Sequence, residues 1–332
     1  MKLFLSHAGL SEVAGGVERY AHYLSTVFPD LLKLDYHSLQ NELGDSKFFP
    51  LKEPLRAKKL GEYVSKNYSN VETVFTNGMF CWNLPQKAQI NICHGSYAAF
   101  AEKAVSKTNP DYYRLKYLYN FFERKSAQNS LKIVSNSKQT SLNVQKFFDL
   151  DSKIIYPPVD TELFKPLNLE KSKEKLDWSG VNVLFVGRPE YAKGFDLVEK
   201  LASKFSEINF KCILSRPYIS KLKNLEVIMK KKHSELPLYY NSSDLIVFPS
   251  RFEGFGFVTV EALACNKKVV ALNTGVSSEI NSENLFLCEE NALESVFLNA
   301  IKSEEKDSMG LVKKLFSVDA FSKQWKALVN EL

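Results

Sequence analysis

Residues 249–275, PSRFEGFGFVTVEALACNKKVVALNTG, predict a loop that is followed by a helix and then a strand. The segment DLIVF (244–248) before the loop is an uninterrupted apolar run, and KKVVAL (267–272) contains another. Such runs are typical of parallel strands whose two faces are both covered. Gly254 and Gly256 lie in the loop, where glycine lets the backbone approach a ligand closely. The stretch therefore predicts a strand–loop–helix–strand unit with a binding loop.

Two carboxylates flank the start of this helix. Glu253 lies in the loop, and Glu261 lies about one and a half turns inside the helix. Carboxylates accept hydrogen bonds from vicinal hydroxyls such as those of sugars and ribose, and the amides of a helix start bind anions or sugar oxygens. The alternative is a structural turn with a glutamate at the helix start, which would bind nothing.

Apolar strands alternate with helix-length segments along the whole chain. Pro157 and Pro158 interrupt this alternation, and residues 165–180 are polar enough for a linker. The alternation predicts an α/β fold with two doubly wound, Rossmann-like domains facing a central cleft, at residues 1–160 and 161–317. The predicted strands are 2–6, 32–36, 73–77, 89–93, 131–135, 181–187, 210–214, 225–229, 244–248, 267–272 and 284–288.

Ligands in such folds bind beyond the carboxyl ends of the strands. Gly15 and Gly16 follow the first strand and begin a helix whose amides would face a phosphate or a sugar. His94 directly follows the strand 89–93, and His7 also follows a strand. A histidine at such a position is a candidate ligand contact, whereas a histidine elsewhere is more often packed or solvated.

The segment that begins at Pro249 resembles the donor-site signature of family 4 glycosyltransferases, which have the GT-B fold. In that family a Pro-Ser pair precedes an acidic residue in an EGFG-like loop, and a second glutamate follows eight residues later. The resemblance implies that Glu261 holds the ribose of a nucleotide. It also implies that Glu253 holds the transferred sugar, together with the loop amides of Gly254, Phe255 and Gly256.

The segment FVGRPEYAKGFDLV (185–198) is similar to the G-R-x-x-x-x-K-G stretch of the same family. Arg188 and Lys193 then follow a parallel strand at the place where the donor diphosphate would lie. Two cations neutralise the charge that develops on a leaving diphosphate without a metal ion, so neither a cofactor nor a metal site is expected. On their own, these two residues would be interpreted as solvated surface charges.

Two segments of the first half extend the resemblance. VAGGVERY (13–20) is similar to the family's first glycine loop. NICHGSY (91–97) places His94 near the donor sugar, where it would stabilise developing charge or hold the 6-hydroxyl. The implied catalytic residues are His94, Glu253, Arg188 and Lys193, and the implied donor-binding residues are Gly15, Gly16, Arg188, Lys193, Glu253, Gly254, Phe255, Gly256 and Glu261.

The function implied by the resemblance is retaining transfer of a hexose from a UDP- or GDP-sugar to a saccharide or a lipid-linked saccharide. The acceptor would lie on the first domain and attack from the leaving-group side, so that a β-phosphate oxygen takes its proton. Such enzymes take part in the assembly of surface polysaccharide, lipopolysaccharide or glycolipid. The resemblance also implies that the final helix, about 318–332, packs back on the first domain.

The positive charge of the chain is unevenly distributed. Of the net charge of +6, residues 1–160 contribute +5, since they contain 20 Lys and Arg against 15 Asp and Glu. This excess favours an anionic partner such as a membrane or a phosphorylated lipid, unless the surface is merely solvated. The stretch 111–128 interleaves aromatic and basic residues, which is typical of a helix on an anionic membrane or of a core helix with cationic ends. No nucleic-acid motif is present.

These features predict a cytoplasmic protein, either free or peripherally associated with the inner membrane face. The N-terminal residues MKLFLSHAG contain no apolar stretch of signal-peptide length, and no apolar run approaches the roughly 18 residues of a membrane span. The five cysteines are widely spaced and include no C-x-x-C pair. That spacing fits a reducing compartment and predicts neither a disulfide framework nor a zinc site.

Other functions are compatible with parts of this pattern. A nucleotide-sugar 2-epimerase of GT-B architecture would use His7, His94 and Glu253 for proton transfer. A non-catalytic nucleotide-sugar-binding subunit would be recognised by the loss of a donor residue. A dinucleotide oxidoreductase is disfavoured because no G-x-G-x-x-G follows the first strand. Asp149-x-Asp151 mimics a metal-binding motif, but it lies in a charged turn far from the signature and is interpreted as solvated.

Several regions depart from the family's pattern. Ser215-Arg216-Pro217 occupies the place of a usual glycine, and Asn266 and Lys268 stand where Gly and Pro are common. Residues 229–232 specify the nucleotide base only weakly, which leaves the donor open. Residues 37–72 contain no pattern that predicts structure.

Overall fold

The computed structural model describes residues 1–7, 15–46, 48–80, 82–84 and 89–332. The chain divides into two compact units. The first consists of Met1–Pro158 together with Val318–Leu332, and the second consists of Val159–Ser317. Each unit is built on one six-stranded parallel sheet. The predicted fold class, with two doubly wound parallel sheets, is confirmed.

The sheet of the first unit contains every strand that the sequence predicted there, and one short strand more. Its strands are β1 Lys2–Ser6, β2 Leu31–Asp35, β3 Thr73–Asn77, β4 Gln89–Cys93, β5 Lys132–Ser135 and β6 Lys153–Ile154. They lie in the order β2-β1-β3-β4-β5-β6. From β1 the chain first adds β2 on one side of the sheet and then adds β3 to β6 on the other side. The strand order therefore reverses between β1 and β3.

The helices of the first unit cover both faces of this sheet. They are α1 Gly16–Val27, α2 Gln40–Leu43, α3 Lys52–Asn67, α4 Tyr97–Ala104, α5 Pro110–Tyr113, a π-helical turn Arg114–Tyr119, α6 Asn120–Gln128, α7 Lys138–Phe148 and the C-terminal α14 Val318–Asn330. The stretch 111–128, which the sequence predicted to be one helix, is thus formed by three consecutive segments. Within the described ranges, no helix is both long enough and apolar enough to cross a bilayer.

Helix α14 packs in the core of the first unit. Phe321, Trp325 and Leu328 are buried in one apolar cluster with Tyr20 and Phe75. The three residues of α14 recur at intervals of four and three, so they lie on one side of the helix. The last fifteen residues of the chain therefore stabilise the unit that contains its beginning.

The second unit repeats the doubly wound arrangement. Its strands are β7 Asn182–Gly187, β8 Asn209–Leu214, β9 Leu225–Met229, β10 Leu245–Phe248, β11 Val269–Leu272 and β12 Leu285–Cys288, in the order β12-β11-β10-β7-β8-β9. Its α-helices are α8 Leu169–Leu176, α9 Phe195–Lys204, α10 Leu236–Asn241, α11 Phe257–Ala264, α12 Leu293–Lys302 and α13 Met309–Leu315. The strand order reverses between β7 and β10, and ligands in open parallel sheets bind beyond the carboxyl ends of the strands at such a reversal.

A buried carboxyl group in α6 makes the stability of the first unit depend on pH. Burial raises the pKa of Glu123 to about 8, although the amide of Tyr97 donates a hydrogen bond of 2.9 Å to its carboxylate. An unfolded glutamate titrates near 4.5. Because ionisation costs more in the folded chain, stability is lost as the pH rises from about 4.5 to about 8.

We expect Glu123→Gln to remove this loss, since an amide does not ionise and its oxygen can still accept from Tyr97. Urea unfolding should show similar free energies of unfolding for the two proteins at pH 5. At pH 8.5 the variant should be the more stable by on the order of 3 kcal/mol. Parallel stability curves for the two proteins across this range would contradict the assignment.

Candidate functional site

The strand reversal of the second unit brings two sequence segments together. β7 and β10 are paired in parallel, with Val183 opposite Leu245 and Leu184 opposite Ile246. Their carboxyl ends therefore lie at the same edge of the sheet. The residues after β7 include Arg188 and Lys193, and the residues after β10 begin the loop that contains Glu253.

Lys193 and Glu253 form an ion pair across this reversal. Lys193 lies at the end of a short 3₁₀ turn, Tyr191–Lys193, and its Nζ is 2.5 Å from Glu253 Oε1. Both side chains are largely buried. The structure thus brings together two residues that are 60 positions apart and that the sequence assigned to neighbouring parts of one donor. Each supplies the counter-charge of the other before any ligand binds.

Arg188 does not join this pair. Its side chain is half exposed, and its Nε lies 3.4 Å from the carboxylate of Glu190. Arg216, in the segment that lacks the family's glycine, lies 3.4 Å from the other oxygen of Glu190. Glu190 therefore holds two arginines at the rim of the same edge, where their exposed guanidinium groups can contact an anion.

Glu261 is buried in α11 and is engaged by two side chains that the sequence analysis did not single out. The hydroxyl of Tyr240 donates to one carboxylate oxygen at 2.9 Å, and Nε2 of His233 lies 2.9 Å from the other. His233 also packs against the ring of Phe164, with 4.9 Å between ring centroids. His233 directly follows residues 229–232, so it lies next to the segment that was expected to contact the base.

The loop 254–256 is held by a backbone hydrogen bond from Val276 and by one buried ring. The carbonyl of Phe255 accepts a hydrogen bond of 2.7 Å from the amide of Val276, and the Phe255 ring packs on Phe257 and Phe316. Gly256 precedes the first residue of α11 with a φ of +98°, which side chains other than glycine's rarely tolerate. The glycine thus allows the sharp turn from the loop into the helix.

Arg251 is a further component of this site, although no sequence motif pointed to it. Its buried guanidinium donates to both carboxylate oxygens of Asp196, at 2.7 and 2.9 Å, and to both of Glu290, at 2.8 and 2.9 Å. It also donates to the carbonyl of Tyr191 at 2.6 Å, and its own amide donates to the carbonyl of Ala192 at 2.9 Å. Arg251 thereby fixes the turn that ends in Lys193.

The electrostatic cost of burying Arg251 is offset by its partners. Burial acts to lower its pKa, but the hydrogen bonds to Asp196 and Glu290 outweigh burial and raise it. The guanidinium also stacks on the ring of Tyr191, with 3.7 Å to the centroid. Only arginine offers donors in a planar fork that can meet two carboxylates and stack at the same time.

Gly194 lets the Lys193 turn approach the loop after β10. Its φ is +67°, and a Cβ there would lie 2.0 Å from the carbonyl oxygen of Pro249.

We expect Gly194→Ala to destabilise the protein by about 2–4 kcal/mol, measured by urea unfolding, because both backbone strain and the clash oppose it. Gly310→Ala is the matched control: its Cβ would meet only Asp307 at 3.6 Å, so the free energy of unfolding should be unchanged or slightly increased. Equal effects of the two substitutions would contradict the close approach.

In the first unit, the structure describes the first glycine loop from Gly15 onward. Val13 and Ala14 lie outside the described residues. Gly15 is extended, and Gly16 is the first residue of α1. The carbonyl of Gly15 accepts from the amide of Arg19 at 3.0 Å, which begins the helix. Helix α1 thus begins at the double glycine that follows β1 in the sequence.

His94 follows β4 and is neutral at physiological pH. Burial lowers its pKa to about 3. Nδ1 lies 3.5 Å from the amide nitrogen of Asn136, which follows the neighbouring strand β5, and the ring packs edge-on against Tyr20 at 4.9 Å. Among the described residues, its Nε2 has no hydrogen-bond partner. Such a group can donate to or accept from a ligand oxygen, but it supplies no positive charge.

His7 is engaged by a carboxylate of its own unit. Its Nδ1 lies 2.7 Å from Glu53 of α3, and its ring contacts that of His37. Burial acts to raise the pKa of Glu53, but the contacts with His7 and Arg56 outweigh it and lower the pKa. His7 and Glu53 are thus in direct contact beyond the carboxyl end of β1.

The metal-like motif lies at a helix end. Asp149 caps α7 with a φ of 58°. Across the described part of the chain, no cluster of three or more His, Cys, Asp or Glu side chains could hold a metal ion. Cys93, Cys212, Cys265 and Cys288 are buried and free, and Cys81 lies outside the described residues.

Comparison with known proteins gives two kinds of match. The model of the family "Glycosyl transferases group 1" matches residues 169–315. An uncharacterized glycosyltransferase of Haemophilus influenzae is 29% identical over an alignment of 170 residues, and the match covers 44% of this chain and 48% of that protein. The chain spans less than half the length of the curated relatives it matches first.

Solved structures match over the whole chain at low identity. Sucrose-phosphate synthase from Thermosynechococcus elongatus superimposes with a TM-score of 0.82 at 17% identity, covering 99% of this chain and 98% of the other. HepE of Anabaena, solved in complex with UDP and glucose, gives 0.76 at 16% identity, covering 100% and 99%. The chain therefore has the GT-B fold, and its residues 169–315 carry the sequence pattern of the group 1 glycosyl transferases.

Proposed function

We propose that this protein is a retaining glycosyltransferase that moves a hexose from a nucleoside diphosphate sugar to a saccharide or lipid-linked saccharide. The observation that supports this most directly is the ion pair between Lys193 and Glu253 at the strand reversal of the second unit. That unit is also the part that matches the group 1 family. HepE, which has the same fold, binds UDP and glucose.

In this proposal the second unit binds the donor. Glu261 accepts hydrogen bonds from the ribose hydroxyls, beside its present partners His233 and Tyr240. The diphosphate lies against Lys193 and Arg188. Glu253 and the amides of the loop 254–256 bind the sugar, and Lys193 exchanges part of its contact with Glu253 for a phosphate oxygen. The base and the hexose are not assigned.

The chemistry proposed is a front-face substitution. The bond between the anomeric carbon and the β-phosphate oxygen breaks, and the acceptor hydroxyl bonds to the same face of that carbon. Its proton passes to a β-phosphate oxygen, so no carboxylate base is required. Lys193 and Arg188 stabilise the charge that develops on the diphosphate, and chelation with EDTA is expected to leave the rate unchanged.

His94 contributes a hydrogen bond in this scheme. Because its pKa is near 3, the imidazole is neutral across the working pH range and cannot act as a cation. Its unpaired Nε2 suits a sugar hydroxyl. Of the two roles that the sequence suggested, holding a hydroxyl is therefore the one we propose.

The proposal is tested by incubating the protein with a panel of UDP- and GDP-sugars. Release of nucleoside diphosphate from one donor, accelerated by a saccharide acceptor, is the expected result. A donor that is isomerised without release would identify an epimerase. A protein that binds donors but changes none of them would be a binding subunit, and either outcome would overturn the proposal.

Glu261→Gln tests the ribose contact. Loss of charge-assisted hydrogen bonds should weaken the binding of the nucleoside diphosphate by about 10- to 100-fold in calorimetry. Glu207→Gln, an exposed carboxylate of the same unit, is the control and should change nothing. Unchanged affinity of a folded Glu261→Gln protein would place the ribose elsewhere.

A further inference from the structure

Three aromatic side chains form an exposed row along the helical segment 110–128. Tyr113, Tyr117 and Phe121 are 56%, 60% and 57% exposed. They are spaced four residues apart, so they lie on one side of the helix. The rings of Tyr113 and Tyr117 stack with 6.3 Å between centroids. A row of large exposed aromatic rings on one helix face indicates an interaction site.

The opposite side of the same segment is buried. Tyr112, Leu115 and Tyr119 lie in a core cluster of the first unit. The core-helix interpretation is therefore confirmed for this side of the segment, and the membrane interpretation stays a prediction for the exposed side. The core requires the buried residues, but it does not require the aromatic identity of the exposed ones, whose contact with water is unfavourable.

A second segment extends the row. Phe48 and Phe49 are 62% and 64% exposed, and the guanidinium of Arg114 lies 4.6 Å from the centre of the Phe49 ring. This contact places Phe49 beside the π-helical turn. We define the exposed aromatic face as the row Tyr113, Tyr117 and Phe121 together with Phe48 and Phe49 of this neighbouring segment.

Three exposed cations lie in the helical region 97–128 that also carries the row of rings. Lys103, Lys107 and Arg124 are exposed and form no ion pair with any residue that the structure describes. Residues 97–131 contain six Lys and Arg against three Asp and Glu. The first 160 residues contain nearly all of the chain's net positive charge. Aromatic rings next to unpaired cations are the combination that binds the interface of an anionic bilayer.

We infer that the exposed aromatic face docks the first unit on an anionic phospholipid surface. The rings enter the boundary between headgroups and acyl chains, and Lys103, Lys107 and Arg124 contact the lipid phosphates. The inference does not depend on the proposed activity, since none of these residues belongs to the candidate site. It gives a lipid-linked acceptor a physical route to the enzyme if the proposed activity holds.

Vesicle flotation tests the inference. The full chain should float with vesicles of phosphatidylcholine and phosphatidylglycerol in equal parts, should remain in solution with phosphatidylcholine alone, and should be released by high salt. The triple substitution Tyr113→Ser, Tyr117→Ser and Phe121→Ser should reduce the bound fraction about tenfold or more. So should Lys103→Gln, Lys107→Gln and Arg124→Gln, by about tenfold or more at low salt.

The matched control makes the same charge change in the second unit. Lys171→Gln, Lys221→Gln and Lys223→Gln alter three exposed lysines, and this protein should bind vesicles like the wild type. Circular dichroism checks that each variant is folded, and donor hydrolysis by the aromatic variant should be unchanged. Absence of flotation by the wild type, or equal loss in the control, would overturn the inference. So would a dimer in sedimentation that the aromatic variant converts to a monomer, since the face would then join two copies.

Discussion

Lys193→Met is expected to reduce kcat/KM for the donor by about 10²- to 10³-fold. A methionine keeps most of the length and apolar volume of lysine but removes the positive charge that faces the leaving diphosphate. Charge that stabilises a transition state in a partly buried site is not replaced by water. The measurement is the rate of nucleoside diphosphate release from the donor identified in the sugar panel.

The control for this substitution is Lys200→Met in the same unit. Lys200 is exposed on α9, so its loss should leave kcat/KM within about twofold of the wild type. A Lys193→Met protein that turns over the donor as fast as Lys200→Met would show that Lys193 is only a structural partner of Glu253.

A double substitution separates the structural role of Lys193 from its catalytic role. Lys193→Met leaves Glu253 largely buried without its counter-charge, which destabilises the protein. Adding Glu253→Gln removes that charge, so the free energy of unfolding should recover while the activity should not. Recovery of both would indicate that the ion pair serves folding alone.

The strands were predictable because their physical requirement is simple. A parallel strand covered on both faces needs an uninterrupted apolar run. Segments such as VNVLFVG and DLIVF contain such a run and therefore indicate strands of this kind. Helix α3 was not predictable in the same way. Its buried Ala57, Leu60 and Val64 have helical spacing. Pro54, Gly61 and several charged residues in the same stretch obscure this apolar pattern. The three buried apolar residues nevertheless stand at positions i, i+3 and i+7, which is the spacing of one helix face.

The candidate site was predictable in part. The motifs located Glu253, Glu261, Arg188 and Lys193 along the chain, because loops after parallel strands form binding sites. They did not predict which of these side chains meet. That depends on which strands are neighbours, and the pairing of β7 with β10 is set by the whole sheet. Whether these residues bind a donor stays a prediction.

His233, Tyr240 and Asn136 were missed for a related reason. Each acts through a residue that a motif does contain: His233 and Tyr240 contact Glu261, and Asn136 contacts His94. Supporting residues need only a correct place in space, so their spacing in sequence follows no rule. Of the three, Asn136 was the easiest to predict from the sequence. It directly follows β5, and β5 is the neighbour of the strand that His94 follows.

Arg251→Met is expected to reduce kcat/KM by about 10- to 100-fold, although Arg251 does not contact the donor in the proposed complex. The guanidinium fixes the turn Tyr191–Lys193 through the Tyr191 carbonyl and Asp196, and a misplacement of Lys193 by about 1 Å costs a factor of this size. Breaking the buried network should also lower the free energy of unfolding by about 3 kcal/mol. Asp196 and Glu290 are half exposed and can be hydrated in the variant, so the protein should remain folded.

Arg251→Lys distinguishes a positioning role from a purely charged one. Lysine keeps the charge but cannot meet two carboxylates and a carbonyl in one plane. We therefore expect it to restore part of the stability and little of the activity, and to reduce kcat more than it raises KM for the donor. The reason is that Lys193 interacts more strongly with the charge that develops on the diphosphate in the transition state than with the diphosphate of the bound donor. If Arg251→Lys were as active as the wild type, the geometry of the Lys193 turn would not depend on the guanidinium, and Arg251 would be a stabilising ion pair with no part in catalysis.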